Sequence, residues 1–272
     1  MRYPAVAGRF YPMDRDELRN SIESCFTHPL GPGKPSGCTG ERKISAVVCP
    51  HAGYSCSGMN AAHSFKAIAE DGLPEAYVLI GPDHYGIPYN VVMCGEEYLT
   101  PLGPCKIHGE IAAKMREYIP DDPRAHTMEH SIEVEVPFLQ YIDTDPHIVP
   151  IIMGDQDIRS ARRLSEQIAA ACKGHDVVII ASSDMAHYVP KDVGLRLNTL
   201  VMDRLVAKDM EGMYNEVMSK RITVCGYGPI ATAVMAARPE SIEVLKYSDS
   251  WDSTGYDPTS VVGYMSAKMT RP

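Results

Sequence analysis

Three histidines lie just beyond apolar segments that have the pattern of buried strands. His51 follows AVVCP, His84 follows YVLIGPD, and the segment IIASSDMAHY carries Asp184 and His187. The carboxyl ends of strands in an open α/β sheet line the crevice in which ligands bind, so these side chains are expected to converge there. Neutral imidazole is the commonest metal ligand in proteins. A lone strand-end histidine is more typical of a hydrogen-bonded loop, but three of them favour one shared metal site.

The remaining histidines, apart from His130, lack this setting and are interpreted as surface or core residues. They are His28, His63, His108, His126, His147 and His175.

Cys225 lies in TVCGYGP, directly before the apolar segment IATAVMAA. The sequence predicts a helix here with Pro229 in its first turn, which places the thiol just before a positive helix N-terminus. That position lowers a thiol pKa and favours the thiolate, the form that binds metal or attacks an electrophile. The alternative is a buried packing residue, as free cysteine often is. The two glycines that follow favour a functional role, because a packing cysteine needs no such backbone freedom.

The segment around His130, TMEHSIEVEVPFLQ, fits both a strand and a helix. Its apolar residues alternate, but Ile132 and Val136 also have helical spacing, so periodicity leaves both open. On a helix, Glu133 would share a face with His130. A solvated face is one interpretation of Glu129, Glu133 and Glu135, and it is the preferred one for Glu135.

The elements that must position these residues alternate along the chain. Four buried strands are predicted at 44–49, 76–81, 147–152 and 176–182, with helices at 58–72 and 157–174 between them. This order predicts βαβ units and a mostly parallel or mixed sheet with helices on both faces. Pro150 indicates that its strand lies at an edge or is bulged.

The last third of the sequence predicts more helix and a final pair of strands. Helices are expected at 193–208, 210–220 and 228–237, followed by an antiparallel pair around TGYDP. The segment 31–41 is expected to be a loop. With 44% hydrophobic residues and no abrupt change of composition, residues 1–272 are predicted to form a single α/β domain.

Composition restricts the partners and the compartment. The net charge is −9 and there is no Lys/Arg stripe, which argues against a nucleic-acid partner. Eight irregularly spaced cysteines without a CxxC pair favour a reducing compartment over a disulfide framework or zinc ribbon. No apolar signal core or bilayer-length segment is present, so a cytoplasmic protein without a membrane partner is expected.

Six separated motifs together resemble the Memo family, of the AmmeMemoRadiSam system protein B type. In chain order they are RYPAVAGRFYP, PHAGYSCSG, GPDHYG, EHSIEVEVPFLQ, SSDMAHY and VCGYGPI. That family is similar in fold to the class III, LigB-type extradiol dioxygenases, which use non-haem iron. The resemblance implies a LigB-like α/β fold with one pocket at the strand ends.

The resemblance also assigns roles to residues. It implies that His51, His84 and Cys225 bind Fe(II), with copper or zinc as alternatives. It places Asp184 and His187 at the pocket border, with His187 as the acid/base, and His130 on the substrate side. The dioxygenases have glutamate where this chain has Cys225, and a softer, oxidisable thiolate puts catechol cleavage in doubt but not metal binding.

Three functions therefore remain open at the level of sequence. The first is a mononuclear Fe(II) oxidoreductase with a small-molecule substrate, in which Asp184 orients His187 or binds metal-bound water. The second is a non-enzymatic module that binds a peptide or a partner protein through the retained dioxygenase-like pocket. The microbial type of opening motif implies AMMECR-like and radical SAM proteins as partners. The third is a metal-free hydrolase that uses Cys225, His187 and Asp184, but it leaves the two other strand-end histidines unexplained.

Overall fold

The centre of the fold is a mixed sheet with ten strands among residues 1–38 and 42–271, which the computed structural model describes. The strands are β1 (Ile44–Cys49), β2 (Ala76–Pro82), β3 (Val91–Met93), β4 (Tyr98–Thr100), β5 (Gly103–Ile107), β6 (His147–Met153), β7 (Val177–Ser182), β8 (His187–Val189), β9 (Ser241–Asp249) and β10 (Val261–Thr270). Their order is β4-β5-β6-β2-β7-β1-β10-β8, with β3 paired to β6 and β9 to β10. Strands β5, β6, β2, β7 and β1 are parallel neighbours, and the remaining pairs are antiparallel.

Nine α-helices in the described residues surround this sheet. They are α1 (Arg15–Thr27), α2 (Met59–Asp71), α3 (Gly109–Met115), α4 (Val136–Ile142), α5 (Ile158–Ala171), α6 (Lys191–Val206), α7 (Met210–Lys220), α8 (Tyr227–Ala237) and α9 (Ser250–Thr254). None of these helices is long and apolar enough to cross a membrane.

Alternation along the central strands divides the core into two layers. In β1, Ala46 and Val48 pack with residues of α3, α5, α6, α7 and α8, whereas Val47 and Cys49 pack with residues of α1, α2 and α4. Successive strand residues point to opposite faces, so a strand that is apolar at every position is buried on both sides. The predicted α/β class, a mixed sheet with helices on both faces, is confirmed, and the structure is consistent with a LigB-type fold.

Most predicted elements occur within a few residues of their expected positions. The four buried strands are β1, β2, β6 and β7, and the final antiparallel pair is β9 and β10. Within the expected loop 31–41, residues 31–38 form neither helix nor strand, and 39–41 lie outside the described residues.

The prediction that Pro150 marks an edge or bulged strand is wrong. Strand β6 pairs with β2 on one side without a register shift, and with β5 and β3 on the other. The Pro150 carbonyl accepts a hydrogen bond from the Cys94 N–H at 3.1 Å. Because the nitrogen and carbonyl of one strand residue point to the same side, the missing N–H faces the gap where the partner changes from β5 to β3. Proline is tolerated in the sheet interior at that gap.

Candidate metal centre

The carboxyl ends of three adjacent parallel strands bring the expected residues together. β1, β7 and β2 pair in register, and His51, Asp184 and His84 each follow the end of one of them by two residues. One ligand atom each of His51, His84 and Cys225 lies within 4.8 Å of the others. We refer to these three residues as the thiol cluster.

Hydrogen bonds at His51 fix the tautomer of its ring. The Ser182 hydroxyl donates its only proton to the Ser131 carbonyl at 2.6 Å, so it accepts from His51 Nδ1 at 2.7 Å. Nε2 therefore carries the lone pair, and it lies 3.3 Å from the Cys225 sulfur. Burial, followed by the charges of the neighbouring histidines, lowers the pKa of His51 well below its usual value, so the imidazole is neutral.

His84 is oriented by a buried carboxylate. Its Nδ1 lies 3.0 Å from Glu129 Oε1, and its backbone N–H donates to Glu129 Oε2 at 2.7 Å. Burial would raise the pKa of Glu129, but the hydrogen bond and charge of His84 outweigh it and lower the value to about 2. Burial would lower the pKa of His84, but the hydrogen bond and charge of Glu129 outweigh burial, so the pKa of His84 is raised. Nδ1–H thus points to the carboxylate, which leaves Nε2 free to ligate, as is usual for metal-bound histidine.

Cys225 lies immediately before α8, whose N-cap is Gly226. Its sulfur accepts a hydrogen bond from the Asp184 N–H at 3.1 Å. A side chain at Gly226 is excluded because a Cβ there would lie 2.2 Å from the Ser182 carbonyl oxygen. The glycine in the motif is therefore explained by this close approach of α8 to the end of β7.

The predicted low pKa of Cys225 is wrong for the metal-free protein. Burial, followed by the charge of Asp184, raises the pKa of the thiol well above its usual value. Loss of hydration and a neighbouring carboxyl group thus outweigh the helix N-terminus. A bound metal ion reverses this balance, since a coordinating thiol is deprotonated.

Asp184 and His187 occupy different parts of the site. Asp184 Oδ1 accepts the His51 backbone N–H at 2.9 Å, and burial raises the pKa of this carboxyl to about 6. His187, which begins β8, donates from Nδ1 to the Thr223 carbonyl at 2.8 Å, and its backbone N–H donates to the Thr223 hydroxyl. Thr223, rather than Asp184, therefore orients the His187 ring and leaves its Nε2 free.

His130 lies beside the thiol cluster. Its ring centroid is 4.6 Å from that of His84 and 5.5 Å from that of His51, and Phe10 packs edge-on against it at 4.9 Å. Its Nδ1 is 3.5 Å from Glu129 Oε1 and makes no hydrogen bond within the described part of the chain. Burial lowers the pKa of His130 to about 4, so this imidazole is also neutral.

The segment after His130 is neither a strand nor, at first, a helix. Residues 131–135 form turns and α4 begins only at Val136, so Glu133 and His130 do not share a helical face. The interpretation of the glutamates as a solvated face is also wrong, because Glu129, Glu133 and Glu135 are all buried. Burial raises the pKa of Glu135 well above its usual value.

Glu133 attaches the N-terminal segment to the site. It accepts hydrogen bonds from the backbone N–H groups of Ala5 and Val6 and from the Tyr11 hydroxyl, and it pairs with Arg2. Arg2 also donates to the Glu129 carbonyl. The N-terminal segment therefore holds the turn that carries His130.

Sequence reasoning missed the residues that orient the histidines of the site, namely Ser182 for His51, Glu129 for His84 and Thr223 for His187. Two signals were available. Serines at the end of a buried strand and glutamates inside an alternating apolar segment both place polar groups where burial is expected, and buried polar groups need partners.

The fold and site define an α/β protein with a candidate metal centre at the carboxyl ends of its parallel strands. Residues 2–268 match the model of the Memo-like protein family. A MEMO1 family protein of Methanothermobacter thermautotrophicus is 41% identical over 273 residues, 97% of this chain and 98% of the relative. One from Methanopyrus kandleri is 42% identical over 274 residues, 97% and 96% of the two chains. The chain belongs to the Memo family, as its motifs predicted.

A solved structure supports the fold independently. The crystal structure of an uncharacterized protein from Escherichia coli K12 superposes with a TM-score of 0.59, covering 83% of this chain and 99% of that one. The two sequences are 14% identical. This likeness concerns the fold alone.

Proposed function

We propose that this chain is a mononuclear Fe(II) protein of oxidoreductase type that acts on a small molecule. His51, His84 and Cys225 are the metal ligands in this proposal. The observation that carries it is the convergence of three donor atoms within 4.8 Å, two of them on imidazoles whose other nitrogen is already hydrogen-bonded. Such outer hydrogen bonds orient metal ligands and fix their tautomers.

The donor set fits a transition metal. Two neutral imidazoles and one thiol suit iron, copper or zinc, and three protein ligands leave positions for a substrate. Iron is chosen because the two histidines resemble those of the extradiol dioxygenases. Fe(II) bound here would supply Lewis acidity and one-electron chemistry to a coordinated substrate.

The remaining residues bind, orient and move protons. His187 accepts a proton at Nε2, because its Nδ1–H is already donated to Thr223. Asp184 holds the turn of His51 through the backbone N–H. His130 packs against the rings of His51 and His84, and Phe10 packs against His130, so these two residues cover part of the ligand side chains.

The test is the metal content of protein prepared without air. We expect about one Fe(II) per chain in the wild type, as a single three-ligand site implies, and little in Cys225→Ser. Cys172 belongs to the core layer on the face of the sheet opposite α2. Cys172→Ser is the matched control and is expected to keep its iron. Equal iron in wild type and Cys225→Ser would disprove the assignment of the third ligand.

The partner proteins are also a proposal, supported by the family resemblance alone. AMMECR-like and radical SAM proteins are the classes to test in a pull-down with wild type and His84→Ala. A redox enzyme loses its function with the metal, whereas a binding module keeps its partners in His84→Ala. Retention of partners in that variant, without any turnover in the wild type, would favour the module.

A further inference from the structure

A second group of potential ligands lies at the amino ends of two strands whose carboxyl ends form the metal centre. Glu75 directly precedes β2, and His175 lies two residues before β7. His108 lies between β5 and α3 and reaches the same place. We refer to Glu75, His108 and His175 as the carboxylate cluster.

The three side chains converge on one carboxylate oxygen. Glu75 Oε1 lies 2.8 Å from His175 Nδ1 and 3.1 Å from His108 Nε2. All three ligand atoms lie within 4.8 Å of one another. The imidazoles are 12% and 11% exposed, whereas the carboxylate is 45% exposed, so two ligands are held by packing and the third faces solvent.

We propose that the carboxylate cluster binds Zn²⁺ through His108 Nε2, His175 Nδ1 and Glu75 Oε1, with water completing a tetrahedral shell. Imidazole nitrogen and carboxylate oxygen are preferred zinc ligands, and three of them with one open position form a common set. The absence of sulfur makes this site harder than the thiol cluster, which also has a donor set that suits zinc and is therefore disabled in the test below.

Zinc binding requires a proton shift on each imidazole. In the metal-free protein, each ring donates one N–H to Glu75, and that proton must move to the other ring nitrogen to expose a lone pair. At His175 the new Nε2–H faces Glu110 Oε2 at 3.6 Å, a favourable outer partner. At His108 the shift removes the acceptor of the Ile111 N–H, a long capping bond of 3.3 Å. The capping bond at His108 and the 3.5 Å contact of Lys114 Nζ with His175 Nε2 are thus exchanged for two coordinate bonds.

Lys114 opposes the cation and so provides a sensitive test. Its Nζ lies 3.5 Å from His175 Nε2, on the same side as Glu110. Removal of this positive charge in Lys114→Gln should strengthen zinc binding by roughly three- to tenfold at low salt. A purely hydrogen-bonded trio without metal affinity predicts no such gain.

The experiment uses the full chain with the thiol cluster disabled by His84→Ala and Cys225→Ser. Equilibrium dialysis against Zn²⁺ alone should find about one ion per chain, as a single site implies. Adding His108→Asn should abolish that binding, because asparagine still caps α3 but offers no imidazole. His175→Gln should do the same, and His63→Asn, at a histidine bonded to the Leu30 carbonyl, is the matched control.

The outcomes separate this proposal from the proposed iron site. Zinc binding in the disabled background, lost in His108→Asn and strengthened in Lys114→Gln, supports the carboxylate cluster whatever the fate of the iron site. No zinc in that background, or binding unchanged by His108→Asn and His175→Gln in variants with native circular dichroism, would overturn it.

Discussion

Two clusters of ligand side chains lie at opposite ends of β2 and β7, and they are built differently. In the thiol cluster, His51 is 1% exposed, and every ligand is held by a buried partner such as Ser182 or Glu129. In the carboxylate cluster, the ligands are bonded mainly to each other around the solvent-facing Glu75.

If both clusters bind metal as proposed, the difference shows how one sheet can support two kinds of metal site. The residues that orient the thiol cluster, Ser182, Glu129 and Asp184, are themselves buried, so their polar groups are desolvated and need hydrogen-bond partners. At the carboxylate cluster the shared acceptor, Glu75, faces water, which satisfies what the cluster itself does not. We therefore expect changes near the thiol cluster to affect stability and metal affinity strongly, and changes at the carboxylate cluster to affect mainly its own metal.

The largest expected effect is the loss of the buried charge at Glu133. Glu133→Ala leaves Arg2 buried without its partner, which should lower the free energy of unfolding by roughly 3–5 kcal/mol. Urea unfolding measures this change. Glu23→Ala, which removes the exposed partner of Lys34, should leave the urea midpoint nearly unchanged. Similar midpoints for the two variants would contradict a buried, tightly held N-terminal segment.

In the metal-free protein, acid should reduce stability at different pH values through the groups at the two ends of the sheet. The folded pKa of His130, about 4, is below its unfolded value, so its contribution to stability is full above about pH 6.5 and is lost toward pH 4. The wild type should lose roughly 2–3 kcal/mol more than His130→Asn over that interval. Hydrogen bonds from His175 and His108 lower the pKa of Glu75, so its contribution is lost only as pH falls below about 4.5.

Urea unfolding at a series of pH values between 7 and 3 measures both effects. Glu75→Gln should follow the wild type down to about pH 4.5 and diverge only below it. If the free energies of unfolding of wild type and His130→Asn fall in parallel from pH 6.5 to 4, His130 is hydrated in solution.

A smaller effect is expected from the residue that orients His84. Glu129→Gln keeps the size of the side chain but removes the negative charge of the carboxylate that accepts the Nδ1–H of His84. This change should weaken iron binding by about 10- to 100-fold. Competition with a chelator under anaerobic conditions measures the affinity. Glu110→Gln, at the carboxylate cluster, is the control and should leave iron affinity unchanged. Equal affinities for both variants would mean that Glu129 does not support a metal ligand.

The sequence predicted most of the fold because the central strands are simple. β1, β2 and β7 are apolar at nearly every position, as strands covered on both faces must be, and the helices between them have clear periodicity. The tolerance of Pro150 in the interior of the sheet could not be predicted. It depends on the ends of two short strands, β3 and β5, which meet opposite Pro150.

The site was predicted in outline but not in its supporting contacts. Strand ends located His51, His84 and Asp184, since parallel strands place their carboxyl ends together. The burial of Glu133 could not be predicted, because its partners, Arg2 and Tyr11, lie more than a hundred residues away in the chain. The predicted pKa of Cys225 was wrong for a similar reason. The local sequence shows the helix that follows, but it does not show the burial and the Asp184 charge, which outweigh the effect of the helix on the thiol pKa.

Cys225 is proposed to bind the metal as a thiolate together with His51 and His84. Iron K-edge X-ray absorption of anaerobically prepared protein tests it most directly, because sulfur and imidazole scatterers are distinguishable. We predict one sulfur and two imidazoles in the wild type, with the sulfur contribution absent from any iron that remains in Cys225→Ser. An iron site with only nitrogen and oxygen neighbours in the wild type would contradict this ligand set.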